Sequence, residues 1–599
     1  MPTYENEKLA FRFSPRNNKA KNINWNEWSE KAFNTAKKQD KLVLLSISAT
    51  WCHWCHVMDE TTFSHEPVIN YINQNFIPVR VDTDMRPDIN RRYNMSGWPT
   101  VAILNYDGVL LSGGTYIPPE KFLTFLEEIH SYYKNNRDEI EVKIRENKNK
   151  AKPIFTLKTI SKGLACDAIK YVYENIVKTY DKLYGGFGIE PKFPMSEALE
   201  FLLFYYSKTG DDNASLMLSK TLTNMLEGGI FDQTDGGFFR YSTTRDWSMP
   251  HYEKMLEDNS VLLKILLEAY NVIKNDKFKY GASKIISYMK SELYDNKNSV
   301  FYGSQDAEEE FYRLPPDKRK KAKKPLVDKT IYTDKNALAA MGFLYSGLVL
   351  DDNSYLQMMI SLINFFNKIF DDDYGFYHYY TQKPELLGIL NDNVNMLNAF
   401  LDLYEITIDE IYLDKASKIA TIIVNKFFDE NKGGFFEDIV NDKTLKNINN
   451  DEKDILTNSR AALALMRLDG ILERDDHKKE ISKTLKLFSK SYKKYGIYAS
   501  TFAVAMDFYM NGPLHINVVG RKDDDKTNSF YKKVLKTYAP NKVVKYIDVV
   551  NDASKLDLKG YSPLKYPAAY ICIGEKCIDP VVDEEEIENT IRISSKIFK

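Results

Sequence analysis

Trp51-Cys52-His53-Trp54-Cys55 places two thiols one helical turn apart, with an imidazole between them. Thiols at that spacing close to a disulfide and reopen by exchange with an outside thiol. At a helix start, free N–H groups and the helix dipole favour a thiolate on the first sulfur. Cys52 then reads as the attacking nucleophile and Cys55 as the resolving thiol. His53 is placed to stabilise the thiolate when protonated or to shuttle a proton. A second group of reactive side chains lies much further along: Arg240-Tyr241, Trp247, Pro250-His251-Tyr252-Glu253-Lys254 and Glu257-Asp258. If Pro250 opens a helix, His251, Lys254 and Asp258 share one face, and Glu253 and Glu257 another. An acid, a base and a cation at one helix start suit acid–base work on a sugar. Asp306 and Glu308 offer further carboxylates for a pair. The plain alternative is a helix cap with surface ion pairs.

The elements around the dithiol have a readable order. The apolar run Leu42–Ile47 is expected to be a buried strand, and the segment from His56 to about Asn75 a helix. A helix over Trp28–Gln39 comes before them. Strand Ile77–Val81, a short helix at Asp88–Tyr93 and strand Val101–Asn105 come after. A Tyr106-Asp107-Gly108 turn leads to strand Val109–Ser112, and a helix at Pro119–Tyr133 closes the unit. This βαβ–ββα order, with Cys-x-x-Cys at a strand-to-helix junction, is thioredoxin-like. Thioredoxins carry a cis-proline before the next strand, against the sulfurs, and Gly97-Trp98-Pro99-Thr100 fits that loop. Pro99 therefore joins the expected site, with the carbonyl before it free for an extended peptide. Thioredoxins also bury an aspartate six residues before the first cysteine. Here that residue is Ser46, so either His53 or His56 replaces it, or proton transfer is slow and the site works as a sensor or binder. Cys52, Cys55 and His56 also match a haem-attachment spacing and three zinc ligands. The preceding strand argues against haem, and the absence of a nearby fourth ligand in sequence argues against zinc. No metal and no cofactor is expected. A dithiol inert within a true thioredoxin fold remains an alternative.

A glycine–aromatic turn then recurs six times, at Tyr184–Phe187, Asp235–Phe238, Val300–Gly303, Tyr374–Tyr377, Gly433–Phe436 and Tyr495–Tyr498. Each interval holds two helices, for example Met195–Tyr206 with Asn213–Met225, or Leu256–Ile273 with Phe278–Leu293. A single helical hairpin cannot bury its own apolar face, whereas six can close into a ring. An (α/α)6 toroid is expected, with an open solenoid as the alternative.

At 599 residues the chain needs several domains. The expected division is an arm at 1–22, the thioredoxin-like α/β domain at 23–136, a charged linker at 137–159, the all-α toroid at 160–511, and a small C-terminal α/β unit at 512–599. That last unit holds Cys572 and Cys577, either a second redox pair or two buried thiols. Asp317–Lys324 and Asn441–Asp454 read as polar loops. A net charge of −2 offers no general attraction for nucleic acid or anionic lipid. No apolar run approaches the roughly 20 residues of a membrane span. Five cysteines are too few for a secreted disulfide framework, and Met1–Arg16 lacks the pattern of a signal peptide. A cytoplasmic location is expected, without nucleic-acid or membrane partners.

The chain resembles the spermatogenesis-associated protein 20 family over nearly its whole length. The matching residues include Cys52–Met58, Arg86-Pro87-Asp88, Gly97-Trp98-Pro99, Gly185–Gly188, Pro191–Pro194, Arg240-Tyr241, Trp247, Pro250-His251 and Glu253–Leu256. Asp306-Ala307, Asn336, Asp392 and Asn458-Ser459 also match. Phe239, Glu308–Glu310, Lys335 and Ile455–Thr457 depart from the family pattern. The resemblance implies a thioredoxin-like domain joined to a six-hairpin, glycosidase-like toroid, with a redox or carbohydrate-linked role. The reading favoured by the residues is a thiol–disulfide oxidoreductase whose toroid binds a carbohydrate or a protein client, with a redox protein client or reductase as partner. A sugar epimerase or glycosidase using His251, Glu253 and Asp306, under a regulatory thioredoxin domain, is the second reading. A non-catalytic scaffold is the third.

Overall fold

The computed structural model describes residues 11–137, 139–140, 161–439, 453–552, 556, 561, 565–574 and 576–597. The linker expected at 137–159 and the loop expected at 441–454 fall largely outside these residues, as does the arm over 1–10.

The N-terminal unit runs α1 (Glu30–Gln39), β1 (Leu42–Ser48), α2 (His53–Glu60), α3 (Glu66–Asn75), β2 (Phe76–Asp82), α4 (Pro87–Tyr93), β3 (Thr100–Leu104), β4 (Leu110–Gly114) and α5 (Pro119–Asn135). Its sheet has the order β2-β1-β3-β4, with β1 parallel to β2 and antiparallel to β3. Strand β1 is buried along its whole length. Leu42 and Leu44 meet α2, α3 and α5, while Val43, Leu45 and Ile47 meet α1 and α4. A strand covered on both faces needs a continuous apolar run. The helix expected from His56 to Asn75 is two helices with a 3₁₀ turn at Thr62–Ser64 between them. Pro67 explains the break, because its ring clashes with the preceding turn and it donates no N–H.

The toroid has six inner helices: α7 (Ser196–Thr209), α9 (Leu256–Ile273), α11 (Thr333–Leu350), α13 (Leu390–Thr407), α15 (Ile455–Leu472) and α17 (Ser500–Asn511). Each packs on the next, and α17 packs back on α7, so the ring closes. The outer layer is α6 (Lys162–Thr179), α8 (Asp212–Glu227), α10 (Asp276–Tyr288), α12 (Ser354–Asn367), α14 (Glu410–Ile422) and α16 (Lys478–Phe488).

The recurring glycine turn has a repeated anatomy. An aspartate caps the turn amides: Asp232 accepts from Thr234 and Asp235, and Asp429 from Asn431 and Lys432. The glycines take positive φ, as at Gly236 (82°) and Gly237 (81°). A Cβ on Gly237 would stand 2.6 Å from the Tyr288 ring, which leaves glycine as the residue that fits. An asparagine in the first turn of the following inner helix then grips the aromatic residue's backbone. Asn259 holds Phe238, Asn336 holds Phe301, and Asn458 holds Phe435, each through N–H and C=O together. The turns and asparagines therefore stitch each hairpin to the next.

The C-terminal unit comprises β5 (Leu514–Gly520), α18 (Asp525–Lys536), β6 (Lys542–Asp548), β7 (Ala568–Ile573), β8 (Lys576–Cys577) and α19 (Ile587–Ile597). Its sheet order, β6-β5-β7-β8, repeats that of the N-terminal sheet in strand directions as well. A cis X–Pro bond precedes β3 (Trp98–Pro99) and β7 (Tyr566–Pro567) alike. Asp524 caps α18 from the position that Cys52 takes at α2. The unit thus has thioredoxin-like topology without cysteines at that helix start. Cys572 and Cys577, five residues apart, are paired across the β7–β8 hairpin as a disulfide. The two α/β units close opposite ends of the toroid.

Candidate functional site

Beyond Ser48 the chain turns, and Cys52 caps α2, its sulfur accepting the Cys55 N–H at 3.1 Å. Cys52 and Cys55 form a disulfide with Cα atoms 5.2 Å apart. The Trp98–Pro99 bond is cis. Trp98 meets Trp51 edge-on at 5.5 Å. The sulfurs do not face bulk solvent. Cys52 is 4% and Cys55 2% exposed, packed with Ala49, Trp51 and the toroid's Met255. The Arg240 guanidinium lies 4.2 Å from the Trp51 ring and 5.1 Å from that of Trp98. The groove expected to receive an extended peptide beside Pro99 is therefore covered by the toroid's own Arg240 and Met255.

Imidazoles and carboxylates from both units surround the dithiol. The His53 ring stands edge-on to His251 at 6.0 Å. His251 stacks on Tyr241 at 4.9 Å, and its Nδ1 is 2.5 Å from Glu253 Oε2. His56 Nδ1 lies 3.8 Å from Asp306 Oδ2, both residues being buried. Burial lowers the pKa of His56, and burial together with His251 lowers that of His53. Burial pushes the Asp306 carboxyl up to about 7. Ser46 is buried within β1, and its hydroxyl has no hydrogen-bond partner among the described residues. The toroid thus places a carboxylic acid beside His56 of α2, while the corresponding position on β1 is Ser46.

The helix expected to open at Pro250 begins instead at Leu256. Pro250–His251 and Lys254–Met255 are short strands, and Lys254–Met255 pairs with Ser304–Gln305. That pairing carries Asp306 to His56 and removes the expected grouping of His251, Lys254 and Asp258 on one helix face. Two expected site residues have structural work. Lys254 is buried, its ammonium on Asp232 at 2.7 Å and on the Gly236 carbonyl at 2.8 Å. Lys192 does the same for Asp181 and Gly185. Trp247 is buried against Gly186 and Gly228 and donates its indole N–H to the Tyr184 carbonyl at 3.0 Å. Removing one partner of a buried ion pair leaves the other charge uncompensated. Lys254→Met and Lys192→Met are each expected to cost about 3 kcal/mol in urea unfolding, without abolishing dithiol chemistry.

A second junction between the units went unread in the sequence. Asp84, just past β2, accepts the Trp51 indole N–H at 2.6 Å and pairs with Lys335 at 2.8 Å. Lys335 is also 3.9 Å from Glu257. His378 Nε2 donates to the Asp84 carbonyl at 2.7 Å, and its Nδ1 lies 3.0 Å from both Asp392 oxygens. Burial opposes charge on His378, yet Asp392 holds its pKa up at about 9. Asp334, His378 and Asp392 could by distance alone hold a metal ion. Both ring nitrogens of His378 are engaged as donors, so a metal would first have to displace a proton. Asp258, beside Glu257 in the first turn of α9, has its carboxyl pushed up to about 7 by burial and by Glu257. Polar residues directly after a strand are the available signal for Asp84, since α/β sheets bind at the carboxyl ends of their strands. Nothing local marks His378. Deeper in, the ring holds a partly open cavity of about 350 Å³ lined in part by Glu200, Lys264, Glu268, Asp402 and Arg467, with Tyr538–Lys542 of the C-terminal unit also in its wall.

Fold and site together define a thioredoxin-like unit seated, dithiol inward, on a closed six-hairpin helical toroid. A family model described as "Protein of unknown function, DUF255" (Thioredox_DsbH) matches residues 6–151. One described as N-acylglucosamine 2-epimerase matches residues 302–494. The chain is homologous to proteins named spermatogenesis-associated protein 20. The Rattus norvegicus protein is 33% identical over 48% of this chain and 39% of its own length. The Homo sapiens protein is 24% identical over 95% and 90%. Among solved structures, cellobiose 2-epimerase from Bacillus thermoamylovorans aligns at a TM-score of 0.44 and 12% identity, covering 55% of this chain and 88% of that one. Among the described residues no helix is long and apolar enough to cross a membrane.

Proposed function

We propose that this chain is a cytoplasmic thiol–disulfide oxidoreductase in which Cys52 attacks, Cys55 resolves and the toroid completes the site. The carrying observation is the position of Asp306, 3.8 Å from His56, which itself stands one helical turn beyond Cys52 on α2. On reduction, Cys55 must lose a proton before it can resolve a mixed disulfide on Cys52. His56 and Asp306 form a route for that proton, and an acid near neutrality suits both directions of transfer. Incubation with dithiothreitol should open the Cys52–Cys55 disulfide reversibly, seen as two alkylated thiols by mass spectrometry. Failure of a reducing dithiol to open it removes the redox role. Cys55→Ser should trap a mixed disulfide on Cys52.

A second reading rests on the toroid cavity and on Glu268 in its wall, whose carboxyl burial raises to about 7. It makes the toroid a carbohydrate-processing compartment under a thioredoxin lid, in keeping with the epimerase model that matches it. A panel of mono- and disaccharides should then raise the melting temperature. No shift at millimolar sugar counts against it.

A further inference from the structure

We infer that the exchange partner of Cys52–Cys55 is a low-molecular-mass thiol or disulfide bearing both ammonium and carboxylate groups. This rests on the thiol–disulfide reading above. Protein clients meet Met255 and Arg240 where a peptide would lie. A cleft of about 650 Å³ offers another approach, between Pro15-Arg16 and the loop from Glu308 to Leu326. His53, the residue after Cys52, forms part of its lining. That volume lies within the roughly 300–1,000 Å³ of small-molecule sites. Its walls carry both signs, with Arg16 and Lys323 as cations and Glu308 and Glu310 as anions. Glu308, Glu310 and Lys323 have no ion-pair partner among the described residues. Phe311 and Leu314 add apolar surface. Unpaired charges of both signs, beside an apolar wall and next to the residue that follows Cys52, match a short zwitterionic thiol.

The chemistry balances without a further reactant. The Cys52 thiolate attacks one sulfur of RSSR, forming Cys52–S–S–R and releasing RS⁻. The Cys55 thiolate then attacks Cys52 sulfur and releases a second RS⁻. The two released thiolates take up the two protons lost by the cysteines. The dithiol is oxidised by two electrons and RSSR is reduced to two RSH; two RSH drive the reverse.

The test oxidises the reduced full-length chain with equal concentrations of oxidised glutathione, bis(2-hydroxyethyl) disulfide or insulin. Glutathione disulfide should react fastest. Lys323→Glu should slow it about threefold and leave the uncharged disulfide unchanged, which also reports an intact fold. Glu308→Gln with Glu310→Gln should slow it as well, whereas a simple net-charge effect would accelerate an anionic oxidant. Insulin reacting as fast as glutathione disulfide overturns the inference. So does charge reversal that slows both small disulfides alike, or acceleration by the glutamine pair. If dithiothreitol opens the disulfide while none of the three oxidants recloses it, this inference fails and the redox reading stands.

Discussion

Asp306→Asn is expected to slow resolution by Cys55 about thirtyfold at pH 7, the factor by which a free thiol near 8.5 is under-ionised there. The buried carboxyl titrates at about 7. Below that pH it is protonated and accepts nothing, so the wild-type rate should climb through pH 7. The groups facing it are Glu308 and Glu253, which raise it, Arg16 and the Ala307 N–H, which lower it, and His56. With asparagine present only the thiol's own ionisation remains, and the rising limb moves toward 8.5. Stability should change in the opposite sense. The folded-state pKa of Asp306 lies above its usual 3.8, so the native state holds the proton more tightly and stability falls as pH rises from about 4 to 7. Asparagine removes that loss, which makes the variant more stable at pH 8 by about 4 kcal/mol. Stopped-flow tryptophan fluorescence across pH 5.5–9.5, with urea unfolding at each end, separates the two effects. A uniform fall in rate with no change of pH profile would leave Asp306 a structural residue.

The N-terminal unit was legible because each element obeys a local rule. Leu42–Ile47 is apolar without alternation because helices cover both of its faces, and Tyr106-Asp107-Gly108 has the residues its turn demands. The six-hairpin ring was legible from spacing, since the glycine–aromatic turn marks each hairpin. Its meaning was less so. Lys254 and Trp247 resembled site residues because charged and aromatic side chains beside glycines look catalytic on paper. Only the folded chain shows that Lys192 and Lys254 repeat one structural bond to an aspartate and a glycine carbonyl. The helix expected from Pro250 failed for a tertiary reason, because residues 250–255 pair as strands across the toroid rim, an interaction with no local signature. The Asp84–Lys335 and His56–Asp306 contacts span roughly 250 residues, a separation no periodicity reports. Ser46 was the exception. A missing acid in the first unit pointed to a replacement, although the expectation placed it on His53 or His56 alone and not on a carboxyl from the toroid.

His378→Gln should lower unfolding free energy by about 3–5 kcal/mol at pH 6, because it leaves the fully buried Asp392 carboxylate without its cation. The effect should shrink as pH rises. The folded-state pKa of about 9 lies above the usual 6.5, so the stabilisation is complete below pH 6.5 and is lost as pH passes through 9. That window corresponds to about 3 kcal/mol, and urea unfolding at pH 6, 8 and 10 would read it. The consequence reaches the dithiol. His378 ties Asp392 of the toroid to the Asp84 carbonyl of the thioredoxin-like unit, and the Asp84 carboxylate holds Lys335 and Trp51. Loosening that corner should free Trp51 and expose Cys52, so dithiothreitol should open the disulfide faster in His378→Gln than in the wild type at equal pH. Reduction at an unchanged rate, despite the lost stability, would mean that this junction does not shield the sulfurs and that Met255 with Trp98 alone keeps visitors out.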